Sequence, residues 1–523
     1  MTITTAERPV IGAGLPGVLK LAPMALAAML LSNECRADWQ FKPTFALRES
    51  YTDNVALERA ELARNEFITE ATPGFNFTTS GPRLNLSASG QWSAFAYSDK
   101  DAPNVQDSTR RYQMNGRAMV IDDLFYVDAS ANGQRQAISA FGQVRDNPYS
   151  SLNNTELRTW RVSPYLQHRF GSTATATLRF TRDSVQGDTT GFGNSTASAT
   201  QADVASGPQF STLGWNLSYY RQELSNAIAG DSKTENVNLG LRYRVIPRFS
   251  LTASVGYDDY EYPALDERTA GRSVTAGFAW TPSARTSVEA SFGHRYFGKT
   301  GALQATHRTR LSTWELSYTD QVTTNRSQFI LPASIDTAAM LDGLFAASFP
   351  DPVQRQQVIA AYMAATGLPA TLGDSVNYLS NRYTRTKRLA GGAIFRGARS
   401  SLSLSVFQDQ RTALSLQQSD SALLGSQLAG LNDDVRQRGG SATVDYRLSS
   451  RSSAYASAYL MRAQSLSTDF TNNNRQFRLG MTRRISGKAA GTIELRHARG
   501  SIGSTGGDTY HENALVATLS VQY

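Results

Sequence analysis

The sequence predicts an all-β chain: a transmembrane antiparallel β-barrel of about 22 strands, with 18 or 20 as the nearest alternatives and a partly helical extracellular insertion. Three observations carry that expectation. The final residues alternate strictly, with Leu515, Ala517, Leu519, Val521 and Tyr523 on one side and Val516, Thr518, Ser520 and Gln522 on the other. A tilted strand of roughly 9–11 residues crosses a bilayer, and an aromatic residue at its lipid-facing end suits the interfacial girdle. The same period-2 alternation recurs along most of the chain, and the connections between alternating segments sort into short turns and long polar loops.

The N-terminus reads as an export signal. Lys20 gives a positive flank, 21–31 an apolar run, and Cys35-Arg36-Ala37 a small-x-small cleavage site, so residues 1–37 are read as a signal peptide and 38–523 as the barrel. The apolar run is shorter than the ~20 residues a spanning helix needs. Glu34 before Cys35 departs from a lipoprotein signal, and with Cys35 removed no cysteine remains, so no disulfide chemistry is called for. Mean hydropathy is −0.36, and no later run reaches the length of a spanning helix. An exported chain of this kind is periplasmic, secreted or a barrel. The net charge of +8 for 523 residues is modest, and no compact basic segment points to nucleic acid. No linker of biased composition divides the chain, which favours one continuous barrel.

Taken in order, the first strand is 39–51, with Trp39, Phe41, Phe45 and Leu47 on one face and Pro43 between them. A proline is awkward in a fully paired sheet, so this strand is expected to be only partly paired. Strands at 67–77 and 84–97 flank the tight turn 80–83, and 112–120 follows, with Tyr112, Met114, Ala118 and Val120 opposing Arg111, Gln113, Asn115 and Arg117. Trp160, Val162, Leu166 and Phe170 oppose Arg161, Ser163, Gln167 and Arg169, and Ala174, Ala176, Leu178 and Phe180 oppose Thr175, Thr177, Arg179 and Thr181. The pattern continues through Leu213–Tyr219, Val237–Val245, Val274–Trp280, Val288–Tyr296, Leu402–Val406, Ala442–Leu448, Phe477–Met481 and Ile493–Leu495. One apolar face per strand leaves the other face in contact with something polar. The joins at 195–206 and 308–313 are the weakest.

Short connections fall at 171–172, 246–248, 282–284, 449–453 and 486–488, and long polar stretches at 183–200, 261–272, 412–434 and 499–510. An even strand number puts both termini in the periplasm. An insertion at 325–381 breaks the rhythm and lies on the extracellular side by strand parity. Within it Asp351 is a candidate N-cap, Pro352 the first helical residue, and Gly367 and Pro369 the stop, with a shorter amphipathic piece at 337–347. The insertion is read either as a surface cap packing on its own helices or as a lid or constriction folded into the lumen.

These residues resemble a family of outer-membrane β-barrel proteins associated with exopolysaccharide and exosortase/PEP-CTERM systems. The resemblance rests on Trp39-Gln40-Phe41-Lys42-Pro43, Arg48-Glu49-Ser50-Tyr51-Thr52-Asp53-Asn54-Val55 and Thr72-Pro73-Gly74-Phe75. It rests also on Pro350-Asp351-Pro352, Gly367-Leu368-Pro369 and Asn377-Tyr378-Leu379-Ser380-Asn381 in the insertion. It spans most of the chain after residue 37. It implies an outer-membrane barrel linked to polysaccharide export, with outer-membrane lipid, a polysaccharide, periplasmic polysaccharide-export proteins and, during biogenesis, the barrel-assembly machinery as partners. It brings no catalytic residues with it.

The residues point to no enzyme, cofactor or metal. None of the five histidines, His168, His294, His307, His497 and His511, has a second ligand at metal spacing or a Gly-x-Ser-x-Gly elbow near it. His168 and His294 fall on apolar faces near strand ends and read as interfacial residues. The polar faces are richer in arginine: Arg117, Arg161, Arg179, Arg242, Arg244, Arg295, Arg447, Arg478 and Arg496 point to the lumen, with Arg169 and Arg484 beside them and Glu289, Asp445 and Glu494 on the same side. One reading is that these charges pair across strands and keep the interior wet. The other is a basic track for an anionic sugar polymer, since a cleft of one sign concentrates the opposite charge and arginine grips carboxylate or phosphate bidentately. Four function classes remain: a polysaccharide-export channel, a general diffusion porin, an adhesive or structural surface barrel, and an outer-membrane enzyme.

Overall fold

The structure, a computed structural model, describes residues 38–99, 101–143, 147–188, 194–330, 375–416, 430–468, 470–501 and 509–523. Residues 1–37, and with them the signal-peptide reading, lie outside the described residues. The described residues form a single sheet of 22 antiparallel strands. Strands running outward are β1 (Asp38–Thr52), β3 (Leu84–Tyr97), β5 (Phe125–Ala137), β7 (Ala174–Gly187), β9 (Leu213–Asn226), β11 (Phe249–Glu261), β13 (Thr286–Arg295), β15 (Ser312–Thr324), β17 (Ser400–Ala413), β19 (Ser452–Ser465) and β21 (Ala489–Ser501). Returning strands are β2 (Glu66–Ser80), β4 (Ser108–Ile121), β6 (Asn154–Phe170), β8 (Ser195–Ser206), β10 (Gly230–Ile246), β12 (Ala270–Ser283), β14 (Gly298–Arg308), β16 (Tyr383–Arg396), β18 (Asp434–Arg447), β20 (Thr471–Arg484) and β22 (Thr509–Gln522).

Each strand pairs with its sequence neighbour, and β1 pairs with β22 from Thr44↔Gln522 to Thr52↔Ala514, which closes the ring. Residues 38–43 reach past the end of β22 and pair with β2 alone. Pro43 therefore stands where one of its two neighbours stops, which meets the expectation of partial pairing, and its carbonyl still accepts the N–H of Tyr523 at 3.1 Å.

The register sends one apolar file per strand to the outside. Leu515 lies opposite Tyr51 and Leu495, Leu495 opposite Leu479, and Leu479 opposite Ala456, and these large side chains are exposed. A closed antiparallel barrel leaves no backbone group unpaired in hydrocarbon, and an apolar outer wall is what lipid requires. The chain is thus an outer-membrane β-barrel. Register shifts fall between Met119 and Ile121, Arg244 and Ile246, and Trp280 and Ser283, each beside a periplasmic turn, where a bulge tightens the hairpin without disturbing the ladder above.

Two details of the sequence reading change. The expected long loop at 183–200 is shorter, because β7 continues to Gly187 and β8 starts at Ser195. The outward file there is Arg182, Ser184, Thr196, Ser198 and Thr200, so the apolar signal fades while the backbone remains paired. The sorting of loops is also incomplete. On the extracellular side β9 and β10 are joined by 227–229, and β13 and β14 by Tyr296 and Phe297 with Gly298 at φ +106, a conformation open to glycine.

From this register, Leu479→Arg, which turns a charge to the middle of the lipid wall, is expected to cost ~2–4 kcal/mol, whereas the inward Thr443→Arg costs under about 1 kcal/mol. Urea unfolding of the barrel refolded into lipid vesicles measures both.

Candidate functional site

The lumen divides into two halves. In the extracellular half the inward residues are buried: Ile68, Leu157, Val185, Val435, Ala463, Asn472 and Tyr510 are each at most 2 % exposed. In the periplasmic half both faces of the wall are accessible, as along the last residues of β6, β10 and β20. The difference comes from loops that fold inward and cross the mouth as chords between distant strands.

Three segments make this inner layer. The loop after β1 buries Val55, Ala56 and Leu57 against Ile68, Phe95, Ala498 and Tyr510. The loop after β5 carries Phe141 to the wall of β18 and β19, where it meets Val435 and Ala463, and Asn472 of β20 donates to the carbonyl of Gly142 at 3.0 Å. Further along that loop Tyr149 packs on Phe95 and shares a hydrogen bond with Ser50 at 2.8 Å; burial pushes its hydroxyl above the ordinary range. The third segment is the insertion. After β15 the chain enters a short helix, α1 (Asn325–Ile330), that packs against β6 and β7, and residues 375–382 return past β5, β17 and β18.

The two arms of the insertion are tied to each other and to the wall. Asn325 Nδ2 donates to the carbonyl of Tyr378 at 2.9 Å, and Asn377 Nδ2 to that of Asn325 at 3.3 Å. Arg411 of β17, 1 % exposed on its side chain, donates to Gln328 at 2.8 Å on one arm, to Asn377 at 3.0 Å on the other, and to Asp409 at 3.0 Å beside it. Arg326 pairs with Asp183 of β7 and donates to Ser195 of β8 at 2.7 Å. Arg382 pairs with Asp433 and donates to the carbonyl of Ser415. A further chord joins the loop after β11 to the end of β17, with Leu265 N–H donating to Leu414 at 2.8 Å and Tyr262 stacked on Tyr383 at 4.2 Å. Both arms thus run inside the mouth. The candidate helix at 351–367 and the piece at 337–347 lie outside the described residues.

All nine arginines singled out from the sequence fall on inward register positions, but they divide into groups. Arg117 and Arg179 share Asp128 at 2.8 and 3.0 Å, and Arg179 also lies 3.9 Å over the ring of Tyr165. Arg295 holds Asp258 through two hydrogen bonds of 2.9 and 2.6 Å, and Arg496 holds Glu512 at 3.1 and 2.7 Å. These four are cross-strand pairs, as the structural reading expects. Arg447 donates to the carbonyl of Ala398 at 2.6 Å in the next periplasmic turn. Arg161 and Arg478 stand on inward positions of β6 and β20.

Arg242 and Arg244 differ. They are exposed near the periplasmic end of β10, and their register neighbours are Gly214, Thr252 and Ser250. The carboxylate partners Asp128, Asp258 and Glu512 were not singled out from the sequence. Asp128 lies directly across from Arg117 and Glu512 diagonally from Arg496, whereas Asp258 meets Arg295 across β12 and Asp128 meets Arg179 across β6, which pairing registers reveal and a single strand does not.

The periplasmic vestibule is basic beyond these residues. Arg169, Arg447 and Arg484 are exposed at the inward ends of β6, β18 and β20, and the turns add Arg248, Arg285, Arg310, Arg399, Arg451 and Lys488 against Asp122 and Asp123. Inward carboxylates in this half include Asp203, Glu289, Glu315 and Asp445. Among the described residues no group of three side chains could hold a metal ion.

No family model matches the chain, and no curated protein is similar to it. Among solved structures, the FrpB iron transporter of Neisseria meningitidis (F3-3 variant) superposes with a TM-score of 0.48 at 10% identity, covering 92% of this chain and 82% of that one. The siderophore receptor PirA of Acinetobacter baumannii gives 0.48 at 7% identity over 92% and 80%, and the outer-membrane protein opdK of Pseudomonas aeruginosa 0.33 at 9% over 92% and 99%. At these scores the barrel assignment rests on the chain's own strand pairing.

Removing one partner of a buried ion pair leaves an uncompensated charge, at a cost of ~3–5 kcal/mol. Arg326→Ala therefore releases the entry arm of the insertion while the wall stays paired. Single-channel conductance in planar bilayers is expected to rise above that of the parent, as it is for deletion of 351–367.

Proposed function

We propose that this outer-membrane barrel is a channel for export of an extracellular polysaccharide, with an anionic polymer as the substrate class. The observation that carries the proposal is the wide, basic, solvent-open vestibule on the periplasmic side, where Arg242 and Arg244 stand two residues apart on one face with uncharged register neighbours. Like charges so placed repel, and a carboxylate or phosphate on a passing chain relieves them. The crossed extracellular half gives the channel an element that must yield for a polymer to leave. The family resemblance read in the sequence points the same way, and periplasmic export proteins and the barrel-assembly machinery are the partners this reading calls for. No catalytic role is assigned to any residue.

The competing reading, a general diffusion porin, requires a permanently open path and gives no role to the interlocked arms. If the vestibule handles polymer, Arg242→Gln with Arg244→Gln lowers export of the acidic polymer severalfold and shifts selectivity toward cations, read from reversal potentials across a salt gradient. Adding Arg179→Gln changes less, because Arg179 is already held by Asp128. Unchanged export and selectivity in the double variant, together with a large steady conductance in the parent, would assign the barrel to the porin class. Glycosyltransferases and a periplasmic export protein encoded beside the gene are the expected genomic neighbours.

A further inference from the structure

The outer wall carries an arrangement that neither the barrel nor the export reading uses. On β18 to β21, above the apolar band of Leu460, Phe477 and Leu495, the outward file holds Arg438, Arg462, Arg475 and Arg499. Arg438 lies directly opposite Arg462, and Arg475 directly opposite Arg499. Arg462 is opposite Asn473, two residues before Arg475, so the two pairs are diagonal neighbours. All four are exposed.

Directly opposed residues have Cβ atoms about 4.5–5.5 Å apart, and like charges there destabilise a sheet. Elsewhere toward this end several outward cations are matched with carboxylates, Arg158 with Asp188, Arg221 with Glu223, Lys233 with Glu235 and Arg385 with Asp320, while Arg182 donates to Ser198 at 3.2 Å. On β18 to β21 the neighbouring outward groups are instead Arg436, which donates to Gln410 at 3.3 Å, His497, His511 and Asn473, with Asp434 at the far end of β18. Among the described residues none of the four arginines makes an ion pair with a carboxylate. Among the described residues nothing supplies the compensating charge.

Its location says what it is. The four guanidinium groups face the membrane where hydrocarbon gives way to the headgroups of the extracellular leaflet. We propose that they form a binding site for a lipid with two or more phosphates on its headgroup, the arginines gripping the phosphates bidentately while the acyl chains lie on the apolar file below. A small free anion would satisfy the charges but gain nothing from that apolar wall.

The full chain purified in detergent tests this by native mass spectrometry and by thermal shift. The probes are doubly phosphorylated lipid A, the same lipid dephosphorylated, and inorganic phosphate. Charge-assisted hydrogen bonds to several arginines predict that the phosphorylated lipid binds at least roughly tenfold more tightly than the dephosphorylated one. The variant R438Q/R462Q/R475Q/R499Q loses that preference, and R221Q/K233Q keeps it. Heat-modifiable migration on gels checks that each variant is folded. If the fourfold variant does not fold, the comparison of the two lipids on the parent chain decides alone. Equal binding of the two lipids, an unchanged preference in a folded fourfold variant, or inorganic phosphate displacing the lipid at equal concentration would overturn the site.

Discussion

The closure of β22 on β1 is the constraint on which the rest of the structure depends. A sheet in hydrocarbon cannot have an open edge, because each unpaired N–H or C=O there costs several kcal/mol. Closure fixes every inward and outward file at once, since a one-residue slip in any strand would exchange its two faces. It also fixes the width. Twenty-two strands enclose a lumen far too wide for side chains to fill, and barrels of that size carry a plugged lumen. Here the filling among the described residues comes from the barrel's own connections, over the extracellular half.

A layer built of loops faces a difficulty that a wall of strands does not. Its backbone is irregular and its apolar clusters are small, so position must be set by specific polar contacts. Arg326 with Asp183 and Arg411 with Asp409 are buried pairs with additional hydrogen bonds. Such pairs add little net stability, because desolvation offsets their attraction, yet losing one partner is costly. That asymmetry suits a layer that has to hold one arrangement and release it as a unit. The arms of the insertion are the obvious unit: Asn325, Asn377 and Tyr378 bind them to each other, and Arg411 binds both to a single point on β17.

Much of the wall was legible in the sequence. A lipid-facing file is apolar and its neighbour file is polar, so period-2 alternation reports the strand and its face together. The strand count and the inward placement of all nine arginines followed from that. Where the outward file is itself polar, at Thr196, Ser198 and Thr200, the same reading saw a loop. The state of each arginine was not legible, because a partner such as Asp258 for Arg295 stands on another strand, across β12, and is placed by the register of the sheet. The chords were hidden for the same reason, since Arg326 and Asp183 lie on segments whose meeting depends on ring closure. The outward arginines of β18 to β21 could have been found by parity from Phe477 and Leu495, but not their opposition.

The spacing of the vestibule cations bears on which solute they serve. Arg242 and Arg244 on β10 and Arg447 on β18 are eight strands apart along the wall, roughly 38 Å at ~4.8 Å per strand. At physiological ionic strength charge is screened within about 8–10 Å. Each cluster therefore acts alone on a small ion, which feels one of them weakly and only near the wall. A chain with a charge on every few sugar units is different, because it can rest on several clusters at once, and each further contact is intramolecular and adds to the first without new binding entropy. Inward arginines that far apart on a broad wall discriminate by length of solute rather than by charge alone, and on the proposed reading that is the distinction an export vestibule has to make between a polymer and the salt around it.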